Sequence, residues 1–120
     1  MTEYRVDILL PLRFNPTEKK KIKKLVPEMH FFETYEDLVK ICGGISTTYS
    51  SMKGSWVCPK TKVRYDDETI LFSVVVEPES DSEIIYHNPK IKELQKLKKA
   101  LLKRFKQKKL YMLATPCHWL

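Results

Sequence analysis

Cysteine, glycine and long hydrophobic runs are all scarce in this 120-residue sequence. The longest apolar stretches, residues 8–12 and 70–76, are far shorter than the ~20 residues that cross a bilayer, so we expect no membrane partner. The first residues lack the basic, apolar and small-residue regions of a secretory signal. Three widely spaced cysteines form no disulfide framework and favour a reducing compartment. We therefore expect an intracellular, cytoplasmic protein.

Motifs for metal or cofactor chemistry are also missing. The sequence has no Cys-x-x-Cys and no His-x₃-His spacing, and the adjacent Cys117 and His118 cannot supply a tetrahedral zinc set alone. The pair Gly43-Gly44 is explained by a helix stop, without a bound phosphate. We expect no metal, no cofactor and no assigned catalytic residue. The residues that could ligate a metal but lack a suitable spacing are Cys42, Cys58, Cys117, His30, His87 and His118.

The composition is that of a folded, basic domain. Lysine and arginine number 22 against 15 acids, a formal charge of +7, with 42% hydrophobic and 31% charged residues. These fractions exclude an intrinsically disordered chain and a membrane protein. A chain of this length predicts one domain, residues 1–120.

The first half of the chain predicts a strand, a helical layer and a long interrupted strand. Apolar residues alternate from Tyr4 to Phe14, and Pro11, which has no N–H to donate, marks either a bulge or the end of pairing. A short basic helix is predicted over residues 15–25. Thr34 and Asp37 resemble a capping box that starts a helix ending at Gly43-Gly44. Residues 45–58 then predict a strand interrupted at Gly54.

The second half predicts a returning strand, a long helix and a last strand. After a turn at residues 59–62, residues 63–65 and 70–76 return antiparallel, with an acidic turn at Asp66-Asp67-Glu68 between them. An acidic loop at residues 77–83 leads to Asn88-Pro89, which starts a helix over residues 89–108. Residues 110–114 form the last strand, and residues 115–120 form a tail.

The element order β, α, β, β, α, β predicts the fold class. Two split βαβ units in this order form an α+β ferredoxin-like sandwich, a four-stranded antiparallel sheet with both helices on one face.

A resemblance to a known family supports the same fold class. Residues 43–47, Gly54-Ser55-Trp56, the acids at 66–68 and the helix end at 105–110 resemble a broad family of small uncharacterised ferredoxin-like proteins. That resemblance covers about residues 43–115 and implies the fold but no reaction. Lys108 stands where the family carries an acid.

Lysine concentrates in the second predicted helix. Residues 90–109 hold ten basic residues against Glu93 alone. Such a face either solvates an amphipathic helix or binds the phosphates of a nucleic acid or another polyanion without sequence specificity. The candidate nucleic-acid-binding residues are Lys92, Lys96, Lys99, Lys103, Arg104 and Lys106.

A ligand pocket is a second candidate site, around the predicted hairpin. Its candidate residues are Thr47, Tyr49, Trp56, Asp67 and Glu68. For a small enzyme, a general base would come from Asp66, Asp67 or Glu68 and a nucleophile from Ser46, Thr47 or Thr48, although no sequence-close histidine orients them. Core packing of Trp56 is the alternative.

The sheet face opposite the helices is the third candidate surface. Leu9, Leu71 and Val75 give it apolar character, and ferredoxin-like domains often bury such a face across a dimer. The sequence therefore favours a binding or interaction module, forming a homodimer through its sheet. A sequence-nonspecific nucleic-acid-binding protein is the alternative, and a small enzyme with an acidic site near the hairpin is the third reading. The residues do not identify which small molecule such a pocket would bind.

Overall fold

The fold is α+β, with a five-stranded antiparallel sheet and two α-helices. The computed structural model describes residues 3–14, 24–48, 51–80 and 83–120, and at Trp56 the backbone. Its strands are β1 (Glu3–Pro11), β2 (Ser46–Thr47), β3 (Met52–Val57), β4 (Arg64–Val76) and β5 (Tyr111–Cys117). Its α-helices are α1 (Glu28–Cys42) and α2 (Pro89–Arg104), and a short 3-10 helix covers Ile85–His87.

Strands β1 and β4 form the centre of the sheet. β1 pairs with β4 on one side and with β5 on the other. Both β2 and β3 pair with β4 along its remaining edge. Pro116 of β5 pairs with Tyr4 of β1, at the outer edge of the sheet.

The core lies between one sheet face and the two helices, because alternate residues of a strand point to opposite faces. Val6, Ile8 and Leu10 of β1 are buried, and so are Phe72, Val74 and Val76 of β4. Leu38 of α1 and a stripe of α2 pack against them. That stripe has helical spacing and comprises Ile91, Leu94, Leu97 and Leu101.

Helix α1 begins earlier than the sequence predicts. It starts at Glu28, directly after Pro27, and the predicted cap Thr34 lies buried in the helix interior. The Thr34 hydroxyl donates to the carbonyl of His30 at 2.7 Å, so the capping-box prediction is wrong. The predicted end is confirmed, since Gly43 has φ +81° and its N–H bonds to the carbonyl of Val39.

Residues 15–23 of the predicted basic helix lie outside the described residues. Its predicted last residues are not helical: Leu25 bridges Arg13, and the carbonyl of Lys24 accepts a hydrogen bond from the N–H of Phe14 at 2.8 Å.

The interrupted strand is confirmed, but its break is elsewhere. Gly54 lies inside β3 and pairs with Asp67, while the interruption falls between Thr47 and Met52. The predicted acidic turn is also wrong, because Asp66-Asp67-Glu68 continue β4 as one 13-residue strand. Cross-strand partners compensate the acids: Ser55 donates to Asp66 at 2.6 Å, and the register places Lys53 opposite Glu68.

Helix α2 starts where the sequence predicts and ends sooner. The Asn88 side chain accepts from the N–H groups of Lys90 and Ile91, which confirms the cap. The helix ends at Arg104 instead of residue 108, and Lys106 follows with φ +51°. Strand β5 extends to Cys117, so the first three residues of the predicted tail pair with β1. Within the described ranges, neither helix has the length and apolar content of a bilayer span.

Candidate functional site

The sheet face opposite the helices carries apolar side chains from three strands and is here named the open face. Odd-numbered residues of β1 and β4 point to it, and the register sets Leu9 beside Leu71 and Tyr111. Tyr111 is 48% exposed and Leu113 is 51% exposed. The open face is defined by Leu9, Leu71, Val75, Tyr111 and Leu113.

A polar network crosses the middle of the open face. The Ser73 hydroxyl donates to the Asp7 carboxylate at 2.7 Å, and an Arg5 guanidinium nitrogen lies 3.1 Å from the same carboxylate. The Asp7 side chain is only 19% exposed. The charge of Asp7 is therefore balanced within the open face. The neighbouring Leu113 adds apolar surface beside this network.

A β-hairpin extends the sheet beyond the core. This arm comprises β3, residues 64–69 of β4 and the turn between them, and its side chains are mostly exposed. The molecule is 50 Å long and 32 by 27 Å in cross-section. The strand register places Met52 and Tyr65 on the same side of the sheet as the open face, so the arm extends that face.

Four of the six candidate nucleic-acid-binding residues form one exposed stripe on α2. Lys92, Lys96, Lys99 and Lys103 recur at helical spacing on the side away from the core, and this set is named the lysine stripe. At ~1.5 Å per residue the stripe is about 16 Å long.

The other two candidate residues, Arg104 and Lys106, contact other parts of the fold. Arg104 is 20% exposed and lies 2.9 Å from an Asp37 oxygen and 3.7 Å from a Glu33 oxygen. It also donates to the buried Thr34 hydroxyl at 2.8 Å, so it joins α2 to α1. The Lys106 ammonium lies 4.8 Å from the Phe14 ring centroid.

The predicted pocket residues do not come together. Thr47 pairs with Phe72 and donates to the carbonyl of Leu71 at 3.0 Å. Asp67 and Glu68 lie four to five positions away along β4, about 14 to 17 Å at ~3.4 Å per residue. Tyr49 lies outside the described residues, and the Trp56 backbone pairs with Tyr65.

A groove of about 350 Å³ forms elsewhere, where α1 ends and β2 begins. The α1–β2 groove has a wall of Gly43-Gly44, and β4 reaches it with Val74 and Val75. Lys90 from α2, Glu77 and Glu3 bring charges of both signs. The remaining lining residues are Cys42, Ile45, Ser46, Ser73 and Trp119.

Two contacts shape this groove. The Trp119 indole N–H donates to the Glu3 carboxylate, which holds the ring at the groove. Burial raises the pKa of the Cys42 thiol, and the positive charge of Lys90 partly offsets that effect. Sequence reasoning assigned Gly43-Gly44 to a helix stop and placed no ligand there. It missed Lys90, Glu77 and Trp119, which are far apart in the chain.

Comparisons with solved structures find proteins of similar fold. The Bacillus cereus protein related to NIF3 is similar, with a TM-score of 0.56 and 10% identity over 97% of this chain. This chain spans about a quarter of that protein, 26% of its length. A phage SAM lyase is similar as well. Its complex with S-methyl-5'-thioadenosine gives a TM-score of 0.51 at 13% identity, covering 94% of this chain and 90% of the lyase. The apo lyase gives a TM-score of 0.52 at 13% identity, covering 99% and 93%.

At these identities the likeness concerns the fold alone. No protein-family model matches the sequence, and the comparison with curated proteins finds no match.

Proposed function

We propose that this protein is an interaction module that forms a homodimer through its open face. The observation that carries the proposal is the exposure of Tyr111 and Leu113 beside Leu9, Leu71 and Val75. Apolar surface exposed on a sheet marks a site of protein association, because burying it releases about 25 cal/mol per Å². A second copy presents the same face, which makes a two-fold contact self-complementary.

The size of the face indicates how much of the molecule takes part. Three strands at ~4.8 Å spacing and seven residues at ~3.4 Å give a surface of about 15 by 24 Å. That is well below the ~800 Å² per partner that a standard interface buries. The arm therefore contributes to the contact, and Met52 and Tyr65 lie on its matching side.

A charge placed on the open face tests the proposal. Leu113→Lys puts an ammonium beside Asp7, its register partner, so the folded monomer tolerates the change. We expect a dimer for the parent chain by sedimentation at about 100 μM and a monomer for this variant. Tyr86→Lys is the matched control, because Tyr86 is exposed but lies outside the open face. A parent chain that stays monomeric, or a Leu113→Lys variant that stays dimeric, contradicts the proposal.

The chain connectivity that we infer is ferredoxin-like. If β2 and β3 are the two halves of one edge strand, the elements read β, α, β, β, α, β. The order across the sheet, β5, β1, β4 and then β2 with β3, supports this assignment.

Polyanion binding is a second candidate function, favoured by the lysine stripe. Its four ammonium groups are exposed on one helix side, with one ion pair, Lys96 to Glu93 at 3.7 Å, among the described residues. Neutralising phosphates by lysines releases counterions and gives salt-dependent affinity of about 10⁻⁴ to 10⁻⁶ M.

A pair of quadruple variants tests this second function. Changing Lys92, Lys96, Lys99 and Lys103 to Gln is expected to abolish binding of a labelled DNA duplex at ~50 mM salt. The control removes the same charge from the arm and its surroundings, at Lys53, Lys60, Lys62 and Lys109. Equal loss in both variants, or no binding by the parent chain, rejects a specific role for the stripe.

A further inference from the structure

The α1–β2 groove presents unpaired charges of opposite sign to the same space. Lys90 and Glu77 both line it, yet among the described residues neither side chain forms an ion pair. The Glu3 carboxylate accepts from the Trp119 indole and retains further acceptor capacity. A ligand that carries one cationic and one anionic group is complementary to this arrangement.

The edge of β4 adds main-chain groups to the groove. β2 pairs with Phe72 and Ser73 and with no later residue of β4. β4 continues to Val76, and Val74 and Val75 line the groove. On this side the backbone beyond Ser73 has no strand partner among the described elements, so its amide groups can bond to a bound molecule.

Gly44 lies at the groove, although neither its backbone conformation nor the packing of the described residues around it requires a glycine. Gly43 needs its positive φ to end α1, but Gly44 has no positive φ. A Cβ built on Gly44 meets no atom within 4 Å. Neither backbone strain nor packing within the described residues therefore requires glycine at position 44. Gly44 lines the groove, so a bulky side chain at this position adds volume at the groove wall.

We propose that the α1–β2 groove binds a free α-amino acid with an apolar side chain. Lys90 pairs with the ligand carboxylate, Glu77 and Glu3 face its ammonium group, and the Trp119 ring covers its side chain. The volume of about 350 Å³ lies within the range of small-molecule sites, roughly 300 to 1,000 Å³. This site is separate from the lysine stripe, but it shares Val75 with the open face.

Three probes with one ring system separate the charge requirements. L-phenylalanine carries both charges, 3-phenylpropionate carries the carboxylate alone, and phenethylamine carries the ammonium alone. Titrations of the ¹⁵N-labelled protein should shift the amide signals of Gly43, Gly44 and Ser46 with phenylalanine. We expect the other two probes to bind at least ~10-fold more weakly, the effect of losing one charge-assisted contact.

Two variants then locate the site. Lys90→Gln should weaken phenylalanine and 3-phenylpropionate by ~10-fold and leave phenethylamine unchanged, whereas a general structural defect would weaken all three. Gly44→Val should block all three while the melting temperature stays within a few degrees. Lys92→Gln is the matched control, because Lys92 lies on the same helix outside the groove.

The proposal has clear contrary results. If none of the twenty common amino acids shifts the Gly44 amide at about 10 mM, the groove does not bind this class. Equal binding of the three probes would mean that the groove recognises the ring alone, and unchanged phenylalanine binding in Lys90→Gln would remove the assigned carboxylate contact. A Gly44→Val variant that unfolds leaves the Lys90→Gln comparison to decide.

Discussion

Cys58 and Cys42 are two thiols held in opposite environments. Cys58 lies at the turn of the arm, where the hydroxyl of Thr61 and the backbone N–H groups of Thr61 and Lys60 bond to its sulfur and lower its pKa. Cys42 lies at the α1–β2 groove, where burial raises its pKa. Since the thiolate is the reacting form, the two residues differ in reactivity at neutral pH.

We predict that iodoacetamide alkylates Cys58 before Cys42 at neutral pH. A lowered pKa gives Cys58 a larger thiolate fraction, so the midpoint of its rate–pH curve lies at lower pH than that of Cys42. Thr61→Val removes the hydroxyl that bonds to the Cys58 sulfur, so the midpoint of the Cys58 curve should shift to higher pH. Thr115→Val, on β5, is the control and should leave the curve in place. Mass spectrometry of the alkylated peptides measures both rates, and faster reaction at Cys42 would contradict the assignment.

At the scale of the elements, the end of α1 separates the two roles of glycine. Gly43 has φ +81° and supplies the N–H that bonds to the carbonyl of Val39. Gly44 follows without a positive φ and with open space at its Cβ position. One glycine is therefore required by backbone conformation and the other is not.

We predict different effects of alanine at these neighbours. Gly43→Ala should lower the free energy of unfolding by about 1 to 2 kcal/mol, because a Cβ is strained in the left-handed region. Gly44→Ala should leave it unchanged or raise it by up to about 1 kcal/mol, through the smaller entropy of the unfolded chain. Urea denaturation of the two variants measures the difference. Equal destabilisation would mean that Gly44 is also held by its backbone.

Local signals explain which elements the sequence predicts correctly. Asn88-Pro89 and Gly43-Gly44 lie within a few residues of the helix ends that they specify, so no distant contact is needed to recognise them. Asp66-Asp67-Glu68 have low strand propensity, but pairing with β3 holds them in β4. Thr34 resembles a helix cap in the sequence, but in the fold it lies inside α1. There its hydroxyl bonds to the carbonyl of His30 and to the Arg104 side chain of the helix packed against it.

The two candidate sites differ in whether their residues lie close together in the sequence. The lysine stripe follows from helical spacing within one element and is visible in the sequence. The α1–β2 groove is not, because Glu3, Glu77 and Trp119 meet only through the order of the strands. The resemblance to small ferredoxin-like proteins stays a prediction.

At the scale of the whole molecule, the two sheet faces have different energetic roles. The helix side holds the core, in which Leu101 is fully buried, and Phe105 packs edge-on against Phe31 at 5.2 Å between ring centroids. The open face leaves Leu113 half exposed. Stability and association should therefore respond to different leucines.

We predict a reciprocal outcome for two leucine-to-alanine variants. Leu101→Ala should lower the free energy of unfolding by about 2 to 5 kcal/mol, the cost of a cavity in the core. Leu113→Ala should change the stability of the monomer by less than about 1 kcal/mol and weaken self-association. Urea denaturation at low protein concentration and sedimentation at high concentration measure the two effects. A large loss of monomer stability in Leu113→Ala would place this residue in the core instead.

Pro116 interrupts the row of backbone donors at the outer edge of β5, and this affects how copies of the chain can associate. Because proline has no N–H, its pairing with Tyr4 must be of the type without direct hydrogen bonds, which turns the Pro116 nitrogen toward the outer edge of β5. Along that edge the outward amide donors are those of Met112 and Ala114. A strand added at this edge would lack a hydrogen-bond donor at Pro116, so edge-to-edge growth of the sheet is disfavoured. The proposed face-to-face homodimer leaves this edge unused.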